Sequence, residues 1–234
     1  MKKEWGYFLL FAVLTGAVIY FYLPTLLLTG IGDFPIPKSE KRCFSDRNKS
    51  VRGYYNDGEN ISFDGYCLDA DADLPTFVVI SNNDPAGCRY YAKDKNHVFY
   101  YNEILDADPD SFTQIKTPSG ECSPFSKDSG VVFYLNDQLP NFVDPQTFSV
   151  FDIEVFAKDR AHIYSGSVAI NEADLATFEP LNYRYSKDKN NVYVTSRQTL
   201  ETEVLVGADP ISFQVIFEDE AQDKNRKYFG WPPE

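Results

Sequence analysis

Short runs of aromatic and β-branched residues alternate with polar turns along most of the chain, which predicts a mainly β protein. The segment Tyr90–Ile115 shows the unit most clearly: one apolar run ends at Ala92, a polar turn starts at Asp94, and a second apolar run starts at Val98. Aromatic and β-branched residues are frequent in strands, and a polar turn between two such runs is typical of a β-hairpin. We therefore expect hairpins from this segment and from its copies.

An aspartate-centred turn recurs through the chain. We expect the Asp carboxylate to bond backbone amides across the turn, and the third residue, often Asn or Gly, to adopt the positive φ of tight hairpin turns. The Asp and the Asn of each clear copy are thus structural candidates. The clear copies are Asp94-Lys95-Asn96, Asp188-Lys189-Asn190 and Asp223-Lys224-Asn225, and the looser ones are Asp46-Arg47-Asn48, Asp128-Ser129-Gly130 and Asp159-Arg160-Ala161.

A second motif places an Asp four residues before a Phe, with Thr or Ser directly before the Phe. Asp caps the free amides at a helix start, and a Pro after it, as in Asp108-Pro109, suits the first helical position. We expect one short helical turn, burial of the Phe in the core, and a return to a strand. The copies are Asp73 to Phe77, Asp108 to Phe112, Asp144 to Phe148, Asp174 to Phe178 and Asp209 to Phe213.

The two motifs share one period, because the Phe positions lie 35, 36, 30 and 35 residues apart. A regular period of this length indicates a repeat architecture, in which stacked neighbours bury the aromatic face that one copy cannot bury alone. The expected fold is a mainly β array of about five β-hairpin repeats with short capped helical turns. A partial sixth copy is expected at Asp223–Trp231.

The N-terminal region predicts a membrane anchor. Trp5–Leu28 contains no charged residue, and as a helix it would be about 36 Å long, enough to cross a hydrocarbon core of about 30 Å. The alternative is a cleaved signal peptide, since Lys2 and Lys3 form a basic start, but no A-x-A-like site follows. The expected plan is an anchor helix at residues 1–28, a Gly- and Pro-containing linker at 29–42, and a repeat domain at 43–234.

The four cysteines favour an oxidising compartment. They are Cys43, Cys67, Cys88 and Cys122, they show no C-x-x-C spacing, and an even set of this kind suggests disulfides. This interpretation places the repeat domain outside the cytoplasm, whereas four buried thiols in a cytosolic domain are the alternative. Three pairings are open. Cys43–Cys67 with Cys88–Cys122 is favoured, because Cys88 and Cys122 each lie six residues before a turn Asp.

Composition narrows the function classes. The chain carries 35 acidic against 22 basic residues, a net charge of −13, and a field of that sign repels nucleic acid. No nucleic-acid partner is therefore expected. The acidity names no other partner, because most strongly charged surfaces serve solubility.

No catalytic constellation is apparent, so we expect no enzyme activity and no cofactor. His97 and His162 occupy the same repeat position, which holds Asn191 and Val131 in other copies, so they are interpreted as variable turn residues. The run Asp69, Asp71 and Asp73 imitates the start of a calcium loop, but it lacks the Gly and Glu that such a loop needs later. It coincides with the repeat's own cap, and no metal site is expected.

The repeat resembles the DKNYY family of bacterial proteins, named for an Asp-Lys-Asn-x-aromatic core. The resemblance rests on KDKNHVFYY at Lys93–Tyr101 and KDKNNVYV at Lys187–Val194, and looser copies extend it over most of Cys43–Gly230. The copies at Asp128 and Asp159 lack the Lys-Asn pair. The resemblance implies a bacterial envelope setting and supplies no catalytic residue.

These observations predict a membrane-anchored, non-catalytic interaction or scaffold module. It would be a single-pass protein of the bacterial inner membrane, with its C-terminal domain in the periplasm or outside. Its partner would be another envelope or membrane protein. One alternative is a glycan or cell-wall binder that uses exposed aromatic rings, and the other is an unrecognised hydrolase.

Overall fold

The predicted β character is confirmed in a computed structural model, which describes residues 53–68, 72–80 and 91–229. These residues form twenty-two short strands and one 3-10 turn, Leu74–Thr76, and all lie in the unit Ser39–Glu234. The predicted anchor at 1–28 and linker at 29–42 lie outside the described residues. Among the residues that are described, none belongs to a helix long and apolar enough to cross a membrane.

The strands form six small antiparallel sheets in chain order, numbered sheet 1 to sheet 6. Sheet 1 contains β1 (Tyr54–Asn56), β2 (Ile61–Phe63) and β3 (Tyr66–Cys67). Sheet 2 contains β4 (Val78–Val79), β5 (Tyr91–Lys93), β6 (Val98–Tyr100) and β7 (Glu103–Leu105). Sheet 3 contains β8 (Thr113–Lys116), β9 (Cys122–Lys127), β10 (Val132–Tyr134) and β11 (Asp137–Gln138).

Sheets 4 to 6 repeat the same plan. Sheet 4 contains β12 (Ser149–Val150), β13 (Phe156–Lys158), β14 (Ile163–Ser165) and β15 (Val168–Ala169). Sheet 5 contains β16 (Glu179–Pro180), β17 (Tyr185–Lys187), β18 (Val192–Thr195) and β19 (Thr202–Val204). Sheet 6 contains β20 (Gln214–Phe217), β21 (Glu220–Gln222) and β22 (Lys227–Phe229).

Each sheet is a meander built on one central hairpin whose turn begins with Asp. In sheets 2 to 5 a return strand precedes this hairpin and a fourth strand follows it. The order of hairpin, capped turn and return strand agrees with the predicted repeat. The described residues contain six such hairpins, where about five copies and a partial sixth were predicted. The predicted partial copy at Asp223 is a three-stranded sheet.

The sequence patterns did not predict the hairpin of sheet 1. In sheet 1 the turn begins at Asp57, whose carboxylate Oδ1 accepts the N–H groups of Glu59 at 2.9 Å and Asn60 at 2.6 Å. Its sequence, Asp57-Gly58-Glu59, lacks the Lys-Asn pair that marks the clear copies. The copy predicted at Asp46 lies outside the described residues.

The central hairpins share a cross-strand pair of one small and one aromatic residue. Ala92 lies opposite Phe99 in sheet 2, and Ala157 lies opposite Tyr164 in sheet 4. All four of these side chains are fully buried. The small residue leaves room for the ring on the same face of the sheet, which explains why strands of only three residues pack densely.

The core is divided into five clusters, and each cluster joins two sheets that are consecutive in the chain. The cluster between sheets 3 and 4, for example, contains Phe125 and Val132 from one sheet with Ala157 and Tyr164 from the other. The other four join sheets 1 and 2, 2 and 3, 4 and 5, and 5 and 6. Within the described ranges no cluster joins sheets that are not neighbours, so the sheets are stacked in chain order.

The prediction of a positive φ at the third residue of the Asp turn was wrong. Among the described copies, none of the third residues, such as Asn96, Asn190 or Gly130, has a positive φ. The Asp side chain closes the turn by accepting the following N–H groups, and this geometry needs no left-handed residue. Positive φ occurs in the second hairpin turn instead, for example at Tyr101 (54°) and Leu135 (58°).

The capped helical turns are also rarer than expected. Only Leu74–Thr76 is a 3-10 turn, and the four equivalent segments in the described chain are non-helical turns. The Leu74–Thr76 turn has two consecutive backbone bonds, from the Thr76 N–H to the Asp73 carbonyl and from the Phe77 N–H to the Leu74 carbonyl, whereas the segment after Asp144 has only the bond from the Thr147 N–H. Burial of the Phe is confirmed in four copies, at Phe112, Phe148, Phe178 and Phe213, whereas Phe77 is half-buried.

Candidate functional site

The two sequence motifs meet in one hydrogen-bonded unit, which we call the aspartate latch. A latch contains a turn aspartate, a cap aspartate and the Ser or Thr three residues after the cap aspartate. The turn aspartates are Asp94, Asp128, Asp159, Asp188 and Asp223, and the corresponding cap aspartates are Asp73, Asp108, Asp144, Asp174 and Asp209.

The turn aspartate uses its two oxygens for different segments. Oδ1 accepts the N–H groups two and three residues later, as Asp188 does from Asn190 and Asn191, both at 2.7 Å. Oδ2 accepts the backbone N–H of the cap aspartate, at distances from 2.7 to 3.1 Å across the five copies. One carboxylate therefore holds both the hairpin turn and the connection that enters its sheet.

The hydroxyl group of the latch closes the unit. In the copy at Asp174, the Thr177 hydroxyl donates to the Asp174 carboxylate at 2.8 Å and accepts the backbone N–H of Lys189 at 3.1 Å. All five copies contain both bonds. This arrangement explains why Ser or Thr precedes every Phe of the second motif.

A cation completes four of the five latches. Lys189 lies 2.7 Å from the Asp174 carboxylate, and Lys95, Arg160 and Lys224 make the equivalent ion pairs at 2.6, 3.3 and 2.9 Å. The basic side chains are more than half exposed, so each pair contributes little to stability. In the remaining copy Ser129 replaces the basic residue.

Tyrosine hydroxyls contact the turn aspartate in three copies. Tyr164, Tyr193 and Tyr228 donate to Oδ2 of the turn aspartate five residues earlier, at 2.9, 2.6 and 2.8 Å. Phe99 and Phe133 occupy this position in the other two latches. The tyrosine therefore adds a fourth donor where it is present, while the ring itself serves packing in every copy.

Hydrogen bonds lower the pKa of four turn aspartates, Asp94, Asp159, Asp188 and Asp223. Burial alone would raise the pKa of Asp188, but the N–H of Asp174, the Tyr193 hydroxyl and the turn amides outweigh it and hold the pKa below its usual value. Burial, together with the neighbouring Asp188 carboxylate, raises the pKa of Tyr193. The Asp188 carboxylate is thus held ionised, as a hydrogen-bond acceptor.

The histidines lie at the edge of two latches. His97 and His162 donate their backbone N–H groups to Asp94 and Asp159, both at 2.7 Å. Their Nδ1 atoms lie 3.5 and 3.6 Å from the same carboxylates. The backbone group makes the latch contact, which explains why the side chain at this position varies between copies.

The calcium-like run is only partly visible. Asp69 and Asp71 lie outside the described residues, while Asp73 is a cap aspartate that accepts the Thr76 hydroxyl and pairs with Lys95. Within residues 53–68, 72–80 and 91–229, no group of His, Cys, Asp or Glu side chains is arranged to hold a metal ion.

Two of the four cysteines can be placed. Cys67 ends β3 and Cys122 begins β9, and both are disulfide-bonded. Cys43 and Cys88 lie outside the described residues, so the favoured pairing of Cys43 with Cys67 and of Cys88 with Cys122 stays a prediction.

Most aromatic rings of the described residues pack within or between the stacked sheets. The rings of Tyr91, Phe112 and Phe133 belong to one shared cluster. Four large aromatic side chains of the described residues are mostly exposed. Phe142 and Tyr183 lie in different repeats, and Phe217 and Phe229 both lie in sheet 6. The exposed aromatic rings of the described residues thus lie in three separate parts of the chain.

Hairpins, latches and shared clusters together define a β-hairpin repeat protein whose recurring side chains maintain the fold. The sequence model of the DKNYY family matches residues 15–137 and 91–230. The chain therefore belongs to the DKNYY family. Comparison with curated proteins and with solved structures finds no match.

Proposed function

We propose that this chain is a membrane-anchored, non-catalytic interaction or scaffold module of the bacterial envelope. The observation that carries this proposal is the use of the recurring side chains. The carboxylates of the turn aspartates accept hydrogen bonds from backbone N–H groups, and most aromatic rings are buried between neighbouring sheets. Recognition is then left to the exposed residues that differ between copies, because repeat arrays present such residues on a continuous surface.

The envelope location rests on two features. The uncharged segment Trp5–Leu28 is long enough to span a bilayer, and the disulfide-bonded state of Cys67 and Cys122 suits an oxidising compartment. In this arrangement residues 1–28 anchor the chain and the repeat domain lies outside the cytoplasm.

Thiol labelling of the full chain, extracted from bacterial membranes, tests this location. Under denaturing, non-reducing conditions a maleimide reagent should modify no cysteine, and after reduction it should modify Cys43, Cys67, Cys88 and Cys122. Modification of all four cysteines without reduction would place the domain in the cytoplasm.

The partner is proposed to be another envelope or membrane protein. Affinity purification of the tagged full chain from detergent-solubilised membranes should recover such a protein at a constant ratio to the bait. A variant in which the exposed Tyr183 and Phe142 are both changed to Ala leaves the latches intact and tests whether these rings take part in the contact. Recovery of the chain alone, from several detergents, would contradict this role.

A glycan-binding role is the second candidate, supported by the exposed rings of Phe142 and Tyr183, since aromatic rings with polar surroundings can stack on sugars. The full chain in detergent should then sediment with peptidoglycan or envelope polysaccharide, and the Tyr183→Ala variant should sediment less. Equal amounts in the pellet with and without polysaccharide would eliminate this candidate.

A further inference from the structure

Sheet 6 carries a surface that is buried in the preceding sheets. The residue three positions after the cap Phe packs on the following sheet in four copies, at Ile80, Ile115, Phe151 and Leu181. The equivalent residue of sheet 6 is Ile216, and it is 52% exposed. Phe229 is 57% exposed, although its equivalents Tyr100 and Val194 are buried.

The pairing of β21 with β22 defines the rest of this surface. Glu220 lies opposite Phe229, Gln222 lies opposite Lys227, and the intervening pair, Ala221 with Tyr228, is buried against sheet 5. Side chains alternate between the two faces of a strand. The outer face therefore carries Glu220 and Lys227 at opposite corners beside exposed Phe229. We call this surface the terminal face.

The charges of the terminal face replace apolar residues. Position 220 corresponds to Tyr91, Phe125, Phe156 and Tyr185 in other hairpins, and position 227 to Val98, Val132, Ile163 and Val192, all of which are buried. A face of this composition does not suit another sheet of the same chain, because Glu220 and Lys227 would be buried against an apolar surface.

The two charges are complementary to each other, so the face is complementary to its own copy. A two-fold axis through the middle of the face exchanges the two corners and brings Glu220 of each chain over Lys227 of the other. The nearby acids do not oppose this contact. Asp219 pairs with Arg184 and Arg197 at 3.4 and 3.2 Å, and Glu218 pairs with Arg197 at 3.3 Å.

We propose that the terminal face of sheet 6 binds the terminal face of a second copy of this chain. The contact is isologous, with two Glu220–Lys227 ion pairs across it and the exposed Phe229 and Ile216 beside them. The inference goes beyond the proposed interaction role and does not depend on the membrane anchor or on any other partner. Local neutrality matters here, because chains with a net charge of −13 otherwise repel one another.

Photo-crosslinking of the full chain tests the contact. With p-benzoylphenylalanine in place of Phe229, irradiation should give a covalent product of two identical chains. The dimer yield should fall about fivefold for Glu220→Lys or for Lys227→Glu, since a coupling energy near 1 kcal/mol corresponds to that factor. The double variant Glu220→Lys with Lys227→Glu should restore the yield.

Mixing the two single variants separates this contact from other dimers. The Glu220→Lys chain carries a lysine at both corners of the face, and the Lys227→Glu chain carries a glutamate at both corners. Each variant alone therefore places like charges together, whereas a mixed pair joins two basic corners to two acidic ones. Mixed dimers should exceed both homodimers.

A matched control and a folding check accompany these variants. Glu203→Lys changes an exposed residue of sheet 5 by the same charge and should leave the dimer yield unchanged. Circular dichroism checks that every variant keeps its β-structure.

Three outcomes would overturn the proposal. One is a product that contains only one chain, which would show that the chain's own residues cover the face. Another is a product with a different protein in place of the second copy. The third is a dimer whose yield is insensitive to both charge changes.

Discussion

At the residue scale, the latch explains why the turn needs Asp in particular. Asp188 accepts four donors: two turn amides on Oδ1, and the Asp174 N–H and the Tyr193 hydroxyl on Oδ2. Asn has one acceptor oxygen, and its NH₂ group would face donors at the other position. A charged acceptor also makes stronger bonds than a neutral one.

Replacement of one turn aspartate should therefore destabilise the fold. We expect Asp188→Asn to lower the free energy of unfolding by about 2–4 kcal/mol, because buried donors lose their acceptor. Urea titration of the full chain in detergent, followed by circular dichroism, measures the change. Asp137→Asn, an exposed residue of β11, is the matched control. Equal unfolding midpoints for the two variants would contradict the structural role of the latch.

The latch should also make stability depend on pH. The pKa values of Asp94, Asp159, Asp188 and Asp223 are lowered in the folded chain, where hydrogen bonds outweigh the opposing effect of burial. Their stabilisation is therefore present above the unfolded pKa, about 3.9, and is lost as the pH falls through the folded values. Urea midpoints should be constant from pH 7 to 5 and decline below pH 4, with a smaller decline in Asp188→Asn.

At the scale of the element, each repeat is a short hairpin whose stability depends on the Phe that follows the cap. Phe148 lies between sheets 3 and 4. Its ring centroid is 5.3 Å from that of Phe125 and 5.7 Å from that of Tyr164. Strands of two or three residues cannot bury such a ring alone. The hairpin and the cap are therefore stable only as parts of the stack.

The cap phenylalanine should thus contribute far more to the free energy of unfolding than an exposed phenylalanine does. We expect Phe148→Ala to lower the free energy of unfolding by about 3–5 kcal/mol, because it leaves a cavity in the core where the ring was packed. Phe142→Ala removes a ring that is 57% exposed and should change stability by less than about 0.5 kcal/mol. Urea titrations of the two variants make the comparison, and a similar loss in both would show that Phe148 is not a core residue in solution.

At the scale of the molecule, each core cluster connects only neighbouring sheets of the described chain. In such an array stability is approximately the sum of the repeats and of the interfaces between neighbours. Local damage should then stay local, unlike in a domain with one shared core.

Hydrogen exchange can test this locality. Phe213 belongs to the cluster between sheets 5 and 6, so Phe213→Ala should speed amide exchange in those two sheets and leave sheets 2 and 3 protected. Phe112→Ala, in the cluster between sheets 2 and 3, should show the reverse pattern. Uniformly faster exchange in both variants would indicate a single cooperative unit.

Local features of the fold were predictable because the repeat places them at a fixed spacing. Strand type, the Asp turn and the buried Phe depend on nearby residues, and several copies made the signal clear. The hairpin at Asp57 was missed because the prediction used the Lys-Asn pair as a marker, while the structure needs only the Asp carboxylate and two backbone amides. Asn96 lacks the predicted positive φ for a related reason: the Asp94 carboxylate closes the turn by accepting the N–H groups of Asn96 and His97.

The sequence by itself determined that the chain is a β-hairpin repeat of the DKNYY family, because aromatic spacing and turn chemistry are local and periodic. Only the tertiary structure decided that the two motifs bind each other, since Asp73 and Asp94 meet across a folded sheet. It also decided that cores are shared by neighbours alone and that sheet 6 leaves Phe229 exposed. Packing of this kind depends on which faces meet, and spacing along the chain does not specify that.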